Sequence, residues 1–330
     1  MQIYLLTTTA CNLKCTYCIR GEKRREFLEL QTLRDILQKN DFSNNQVLIT
    51  GGEPTMHPEF EEIVKMCCNY FKSVSINTNG TNYEFINRLK SERIHLQISL
   101  DGNEYMHDLI RGNGTFRSAI NNIRRFDQMQ FDYNIATVVN LININNIIEM
   151  IDVLSDLKNM KYWKVEAQLP FGCGDNGNCV SVEEWNILVE KLLSLCPFRL
   201  VIKKLFDFSL ISKLSDEQIK YIGENKTKNC GNCNSKIYVY PDFTVYPCTC
   251  LTDFPLGNLK EEKLSDILNS KNAKMFSCYE VNKNSQCSKC RYLPICNGGC
   301  IGMSYNNFGE LGWGDVRCKY VQKDSKHHVL

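Results

Sequence analysis

Eighteen of the 330 residues are cysteines, and they are grouped rather than scattered. Three stand close to the amino end as Cys11-x3-Cys15-x2-Cys18, and ten lie between Cys230 and Cys318. That last stretch shows little apolar periodicity, so it cannot close an ordinary core and needs staples. In an exported chain the staples would be disulfides. Met1 to Ala10 has no basic leader ahead of a small-residue cleavage site, and thiols spaced as CxxC in a reducing compartment read as metal ligands. The expected location is therefore an oxygen-poor cytoplasm.

Ahead of that region, residues 1 to 200 alternate short apolar runs with amphipathic ones. Strands are expected at Ile3–Thr7, Val47–Thr50, Ser73–Asn77, His95–Leu100, Asn134–Asn140 and Lys164–Gln168. Helices are expected at Leu30–Lys39, Glu59–Tyr70, Tyr83–Ser91, Thr115–Gln128, Asn146–Leu157 and Val182–Cys196. Six such repeats predict an α/β fold with a parallel sheet, rolled into a barrel or part of one, whose reactive rim is the C-terminal edge of the strands. Arg199 to Gly223 reads as a bridging strand, loop and short helix, and Leu264–Phe276 as the one real helix of the cysteine-rich end. The expected division is a barrel over 1–200, a bridge over 201–229 and a cluster domain over 230–330.

With 43% hydrophobic and 23% charged residues and a net charge of +2, the chain offers no field to attract nucleic acid or an anionic membrane. No apolar run reaches the ~20 residues of a membrane span.

The three amino-terminal cysteines directly follow the first strand. Three thiolates on one loop can ligate three irons of a cubane and leave the fourth open, as a catalytic metal site requires; a zinc knuckle lacking one ligand is the plainer alternative. One strand later comes Thr50-Gly51-Gly52-Glu53-Pro54, where glycines allow close backbone approach to a ligand and Glu53 supplies an anion.

CxxxCxxC with Tyr17 before its last cysteine, followed by GGEP, resembles the signature of the radical S-adenosylmethionine superfamily. The resemblance covers roughly residues 2 to 200. It implies a [4Fe-4S] cluster on Cys11, Cys15 and Cys18, whose open iron binds the amino and carboxylate groups of S-adenosylmethionine and whose reduction yields a 5′-deoxyadenosyl radical. It also implies cofactor contacts from Tyr17 near the adenine, from Gly51, Gly52, Glu53 and Pro54 at the methionyl amino group, and from Asn79 and Ser99 at the ribose. Arg111 resembles an arginine aimed at the cofactor carboxylate, a task suited to its fork.

Cys287-x2-Cys290-x5-Cys296-x3-Cys300, then Cys318, is similar to the C-terminal half of a SPASM domain, and Cys233-x9-Phe243-x4-Cys248 to its first half. Phe243 stands where that family usually has glycine, which questions the hairpin turn. The resemblance implies a partial (β/α)6 TIM-like barrel followed by a SPASM domain with two auxiliary [4Fe-4S] clusters, three in all. The first would use Cys230, Cys233, Cys248 and Cys300, with Cys250 a possible substitute for a ligand. The second would use Cys287, Cys290, Cys296 and Cys318. A pair of structural zinc sites is the alternative.

Seven cysteines remain. Cys67, Cys68 and Cys196 fall in helical patterns and read as small buried hydrophobes, while Cys278 carries no signal. Cys173 and Cys179, in a loop after the sixth strand, and Cys250 are candidate hydrogen-atom donors to a substrate radical, as in radical epimerases, or else ordinary thiols. Asp101 and Glu166 qualify as bases by position alone.

The resemblance implies a peptide-modifying oxidoreductase that crosslinks, oxidises or epimerises a ribosomally made peptide. A barrel starting at residue 2 leaves no room for a leader-binding domain, so either the leader would bind elsewhere or a separate protein would present it. A low-potential flavodoxin or ferredoxin would supply electrons. The alternatives are a radical oxidoreductase acting on a sugar or alcohol, a sulfatase-maturing enzyme, and a non-catalytic electron carrier. Thr249 stands where sulfatase-maturing enzymes place an aspartate base, and an electron carrier needs neither an open iron nor a GGEP loop.

Overall fold

The structure is a computed structural model that describes residues 1–21, 25–89, 93–174, 176–203, 233 and 235–321. Cys230, most of the expected bridge and the carboxyl end lie outside the described residues.

One sheet of ten strands organises them. Seven are parallel neighbours in chain order: β1 (Gln2–Thr8), β2 (Gln46–Gly51), β3 (Ser73–Thr78), β4 (Ile94–Ser99), β5 (Asp132–Val139), β6 (Met160–Ala167) and β7 (Leu200–Lys203). At the other edge β8 (Lys236–Val239) pairs parallel to β1, with Ile3 opposite Ile237 and Leu5 opposite Val239. It continues antiparallel into β9 (Thr244–Tyr246) and β10 (Gly257–Asn258). The cysteine-rich end thus extends the barrel sheet rather than resting beside it. All six strands expected from the pattern are present, β7 is the strand expected at the start of the bridge, and β8 adds one beside β1.

The helices α1 (Leu30–Lys39), α2 (Phe60–Tyr70), α3 (Tyr83–Asn87), α4 (Glu104–Arg111), α5 (Thr115–Gln128), α6 (Met150–Ser155) and α7 (Val182–Leu195) connect the strands. Helix α7 starts where Ser181 and Glu184 form a reciprocal capping box. Three expectations need correction. The helix read over Tyr83–Ser91 ends at Asn87 among the described residues, and the one read over Asn146–Leu157 is a 3-10 turn up to Glu149 followed by α6. The carboxyl-terminal helix read over Leu264–Phe276 is two, α8 (Leu264–Asn269) and α9 (Lys271–Ser277). Ser270 between them is extended and turns its hydroxyl to cap the second. With α10 (Leu293–Cys296) and α11 (Ile301–Phe308), four short helices rather than one lie among the described residues of the region.

Side chains alternate along the strands, and the two faces differ in chemistry. On β4, Ile94, Leu96 and Ile98 are buried under the helices, whereas His95, Gln97 and Ser99 face inward and are half-buried. The inner polar groups bond across strands: Gln97 donates to Asn77 Oδ1 at 2.9 Å, and His95 Nε2 lies 2.6 Å from Asn134 Oδ1. A closed eight-stranded barrel fills its centre with branched apolar side chains. This open one is polar and hollow.

Phe243 sits at the β8–β9 hairpin with φ of 69°, the positive φ that a glycine there would take. The turn closes through the Phe243 N–H on Tyr240 O at 2.8 Å. Left-handed backbone costs a non-glycine residue roughly 1–2 kcal/mol. Burial of the ring to 1% exposure, with the Lys260 ammonium 5.4 Å from its centroid, offsets that cost. No described helix is long and apolar enough to cross a membrane.

Candidate active site

The cysteine loop is clamped from three sides. From β2, Gly52 N–H donates to Thr8 O and Glu53 N–H to Ala10 O, both at 2.8 Å. From α4, Ile110 O accepts from Thr16 N–H at 3.0 Å, and from the loop after β6, Cys173 N–H reaches Cys18 O at 2.8 Å. The close approach that Gly51 and Gly52 permit is to the chain's own loop: a Cβ on Gly52 would stand 2.1 Å from Ala10 O, and one on Gly51 2.1 Å from Thr8 O. Gly52→Ala is therefore expected to displace the cysteine loop. It should cost about 1–3 kcal/mol and lower the iron retained after reconstitution. A variant with parental melting temperature and iron content would refute that reading.

Above the loop opens a cavity of about 360 Å³, within the range of small-molecule sites. Cys11, Cys15, Cys18, Tyr17, Gly51, Gly52, Glu53, Asn79, Ser99 and Arg111 line it, as does the inner face of the sheet through Gln97, Lys164, Glu166 and Lys203. Cys248, Thr249, Cys250, Cys300 and Arg317 of the cysteine-rich end line it as well. Pro54 is buried behind Glu53, where it begins a 3-10 turn, and Cys173 and Cys179 do not line the cavity. Cys173 rides exposed over the cysteine loop, and Cys179 Sγ accepts from Gln168 Nε2 at 3.8 Å.

Asp101 ties the reading's aromatic and arginine residues together. Its Oδ2 accepts from Arg111 Nε and from the Tyr17 hydroxyl, each at 2.5 Å, and its Oδ1 from Val138 N–H at 2.9 Å. Arg111 also donates to the Tyr17 oxygen, and its Nη1 lies 4.0 Å from Cys15 Sγ. Asp101 is thus held in an ion pair rather than standing open as a base. His107 completes the corner: burial, then Arg111, drives its imidazole down to about 4, so neutral Nδ1 accepts from Asp101 N–H at 3.1 Å.

Glu53, 1% exposed, accepts from the Thr55 and Thr78 hydroxyls at 2.8 and 2.9 Å and from Asn79 N–H at 2.7 Å. Burial raises its carboxyl above the usual range against those bonds. It joins the ends of β2 and β3 while facing the cavity. Glu166 sits between Lys203 Nζ at 3.0 Å and Lys164 Nζ at 3.5 Å; burial works to raise it, and the two lysines overcome burial and hold it near 2.

The thiols fit iron–sulfur chemistry. No disulfide joins the described cysteines. Burial pushes Cys15 up to about 11, so a metal entering there displaces protons. Cys287, Cys290, Cys296 and Cys318 surround a second, small hollow. Burial, and after it Cys296, Cys318 and Cys290, pushes Cys287 up to about 12. Of the other expected set, Cys233, Cys248 and Cys300 are buried. Cys250 Cβ packs 2.9 Å from where a Cβ on Gly302 would stand, a position 3.8 Å from Cys300 Sγ. Among the described residues no three His, Cys, Asp or Glu side chains are grouped around a single point. Donors to different irons of one cluster need not converge. Cys67 is fully buried, whereas Cys68 and Cys196 are only partly so.

Sequence reasoning missed Arg20, Gln97, Lys164 and Lys203. For the last three the signal was strand alternation: parallel strands covered on both faces read as continuous apolar runs, and polar residues at every second position mark a face turned to a cavity; Arg20, in the loop after Cys18, carried no such mark.

Residues 5–154 match the family model of the radical SAM superfamily, and residues 230–291 match that of an iron–sulfur cluster-binding domain, SPASM. The chain is 27% identical to a cysteine-type anaerobic sulfatase-maturating enzyme of Clostridium novyi, over 94% of this chain and 90% of that protein. It is 28% identical to the sporulation killing factor maturation protein SkfB of Bacillus subtilis, over 41% of this chain and 35% of that one. Two solved structures share the fold. One is Streptococcus suis SuiB bound to S-adenosylmethionine, with a TM-score of 0.78, 19% identity, and coverage of 96% of this chain and 77% of that chain. The other is anSMEcpe with bound AdoMet, with a TM-score of 0.76, 20% identity, and coverage of 98% and 95%. The cysteine loop at the head of a parallel sheet, the cavity above it and the cysteine-rich extension agree with both family matches, and the chain belongs to the radical S-adenosylmethionine superfamily, as an enzyme of its SPASM-containing branch.

Proposed function

We propose that this enzyme abstracts a hydrogen atom from a residue of a ribosomally made peptide and so crosslinks, oxidises or epimerises it. The observation that carries the proposal is a single cavity lined both by Cys11, Cys15 and Cys18 and by Cys248, Cys250 and Cys300. A substrate held between them would lie between a radical source and an electron acceptor. When bound, S-adenosylmethionine supplies the adenosyl radical upon reduction by a low-potential donor such as a flavodoxin or ferredoxin. The chain's own part is placement. Glu53, Asn79, Ser99 and the Asp101–Arg111–Tyr17 set would hold the cofactor on the β2–β4 side, and the polar strand faces would orient the substrate. Two auxiliary clusters, on Cys230, Cys233, Cys248 and Cys300 and on Cys287, Cys290, Cys296 and Cys318, would bring the total to three. The barrel over 1–200 and the cluster domain over 230–330 would be its working parts.

Peptides support the substrate class. SuiB has been solved bound to its precursor peptide SuiA, and anSMEcpe with a Cp18Cys peptide. A second reading, sulfatase maturation, is favoured by the full-length similarity to the Clostridium novyi protein. Thr249 weighs against it, since its hydroxyl is bonded to Arg20 at 3.0 Å and offers no carboxylate.

The test is anaerobic turnover of the reconstituted enzyme with S-adenosylmethionine, a strong reductant and one of three substrates. These are the peptide-sized products encoded beside its gene, a sulfatase-derived cysteine peptide, and a sugar or alcohol. A neighbouring peptide should raise 5′-deoxyadenosine formation about tenfold over the uncoupled rate and change mass. Stimulation by the sulfatase peptide alone would favour the second reading, and stimulation by the small molecule alone would sink both.

A further inference from the structure

We infer that Arg20 is a carboxylate-binding residue of the substrate chamber, an inference that rests on the peptide reading. Arg20 follows the third cluster cysteine by two positions and lines the cavity. Its Nη1 is fixed by two side chains of the carboxyl-terminal extension: Thr249 Oγ1 at 3.0 Å and Tyr240 Oη at 3.1 Å. The guanidinium carbon stands 5.5 Å from the Tyr240 ring centroid, which further restricts it.

The other cations of the cavity wall have carboxylate partners. Arg111 pairs with Asp101, Lys164 and Lys203 with Glu166, and Arg317 with Asp315. Among the described residues Arg20 pairs with none, and its Nε and Nη2 make no hydrogen bond. That edge of a guanidinium presents two parallel N–H groups, the geometry that receives a carboxylate through both oxygens. An arginine already anchored through Nη1 loses little rotamer freedom on binding, so the interaction is preorganised.

Its position separates it from the cofactor residues. Glu53, Asn79 and Ser99 sit at the ends of β2, β3 and β4, whereas Thr249 and Tyr240 belong to the hairpin region on the other side of β1. A substrate carboxylate on Arg20 would therefore lie beside Cys248 and Cys250, and it would set which carbon of the substrate faces the radical source. The carboxylate belongs either to an acidic side chain or to a chain terminus.

The test uses reconstituted enzyme loaded with S-adenosylmethionine and titrated calorimetrically with one acetylated, cysteine-containing hexapeptide in four versions. These carry Glu or Gln beside the cysteine, and a free or amidated carboxyl end. The parent should bind a carboxylate-bearing version about tenfold tighter than the neutral Gln amide. Arg20→Gln should erase that difference and Arg20→Lys keep part of it. Preference for Glu assigns the side chain, and preference for the free end assigns the terminus. Equal binding of all versions by the parent, or a preference that survives in Arg20→Gln, overturns the inference and leaves peptide binding standing. Binding of none overturns both. A loss of S-adenosylmethionine affinity in peptide-free Arg20→Gln would assign the arginine to the cofactor and likewise overturn it.

Discussion

Replacing Cys11, Cys15 and Cys18 together by alanine is expected to reduce 5′-deoxyadenosine formation to that of a protein-free control. The three thiols share one loop above β1, and all three line the cavity. Without them no cluster presents an open iron to the cofactor, whatever the rest of the site retains. The fold should survive, because the loop is held by backbone bonds to β2, α4 and the segment after β6 rather than by the sulfurs. Iron analysis makes the result specific. The parent should take up about twelve irons per chain, four for each of three cubanes, and the triple variant about eight. Product at the parental level would overturn the assignment of the radical site. A parent that holds about four irons would overturn both auxiliary clusters.

The second large effect concerns Asp101. Asp101→Asn keeps the shape of the side chain and removes its charge, leaving Arg111, 8% exposed, without a counter-ion. Breaking a buried pair from one side typically costs about 3–5 kcal/mol, because the remaining charge is desolvated and uncompensated. Urea unfolding should register that loss. The same arginine touches Tyr17 and approaches Cys15, so S-adenosylmethionine affinity should fall with it. The double variant Asp101→Asn/Arg111→Gln should recover part of the stability, since it removes the orphaned charge. A single variant that loses less than about 1 kcal/mol, as an exposed pair would, shows that this pair does not organise the corner.

Residue by residue, legibility followed distance along the chain. Cys11-x3-Cys15-x2-Cys18 and Gly51-Gly52-Glu53-Pro54 are local patterns, each the product of one strand end, and the cavity contains both apart from Pro54. The strands were legible because apolar alternation is itself local. The role of Asp101 was not: its partners come from positions 17, 111 and 138, and only the sheet brings them within hydrogen-bond reach. Gly52 was read as making room for a ligand, but its missing Cβ makes room for the Ala10 carbonyl. The break at Ser270 was hidden because an apolar stripe can run through a cap without interruption.

By itself the sequence determined which thiols are grouped, the six strands β1 to β6, and that the cysteine loop heads a parallel sheet. These follow from spacing and periodicity, which are properties of neighbours in the chain. Only the tertiary structure decided that β8 joins β1 and so brings Cys248, Thr249 and Cys250 into the cavity lined by Cys11, Cys15 and Cys18. That pairing spans more than two hundred residues. It is fixed by backbone hydrogen bonds and by apolar contacts such as Ile3 beside Ile237, which leave no periodic mark in the sequence. It also anchors Arg20 with its open edge, in the cavity that both cysteine groups line.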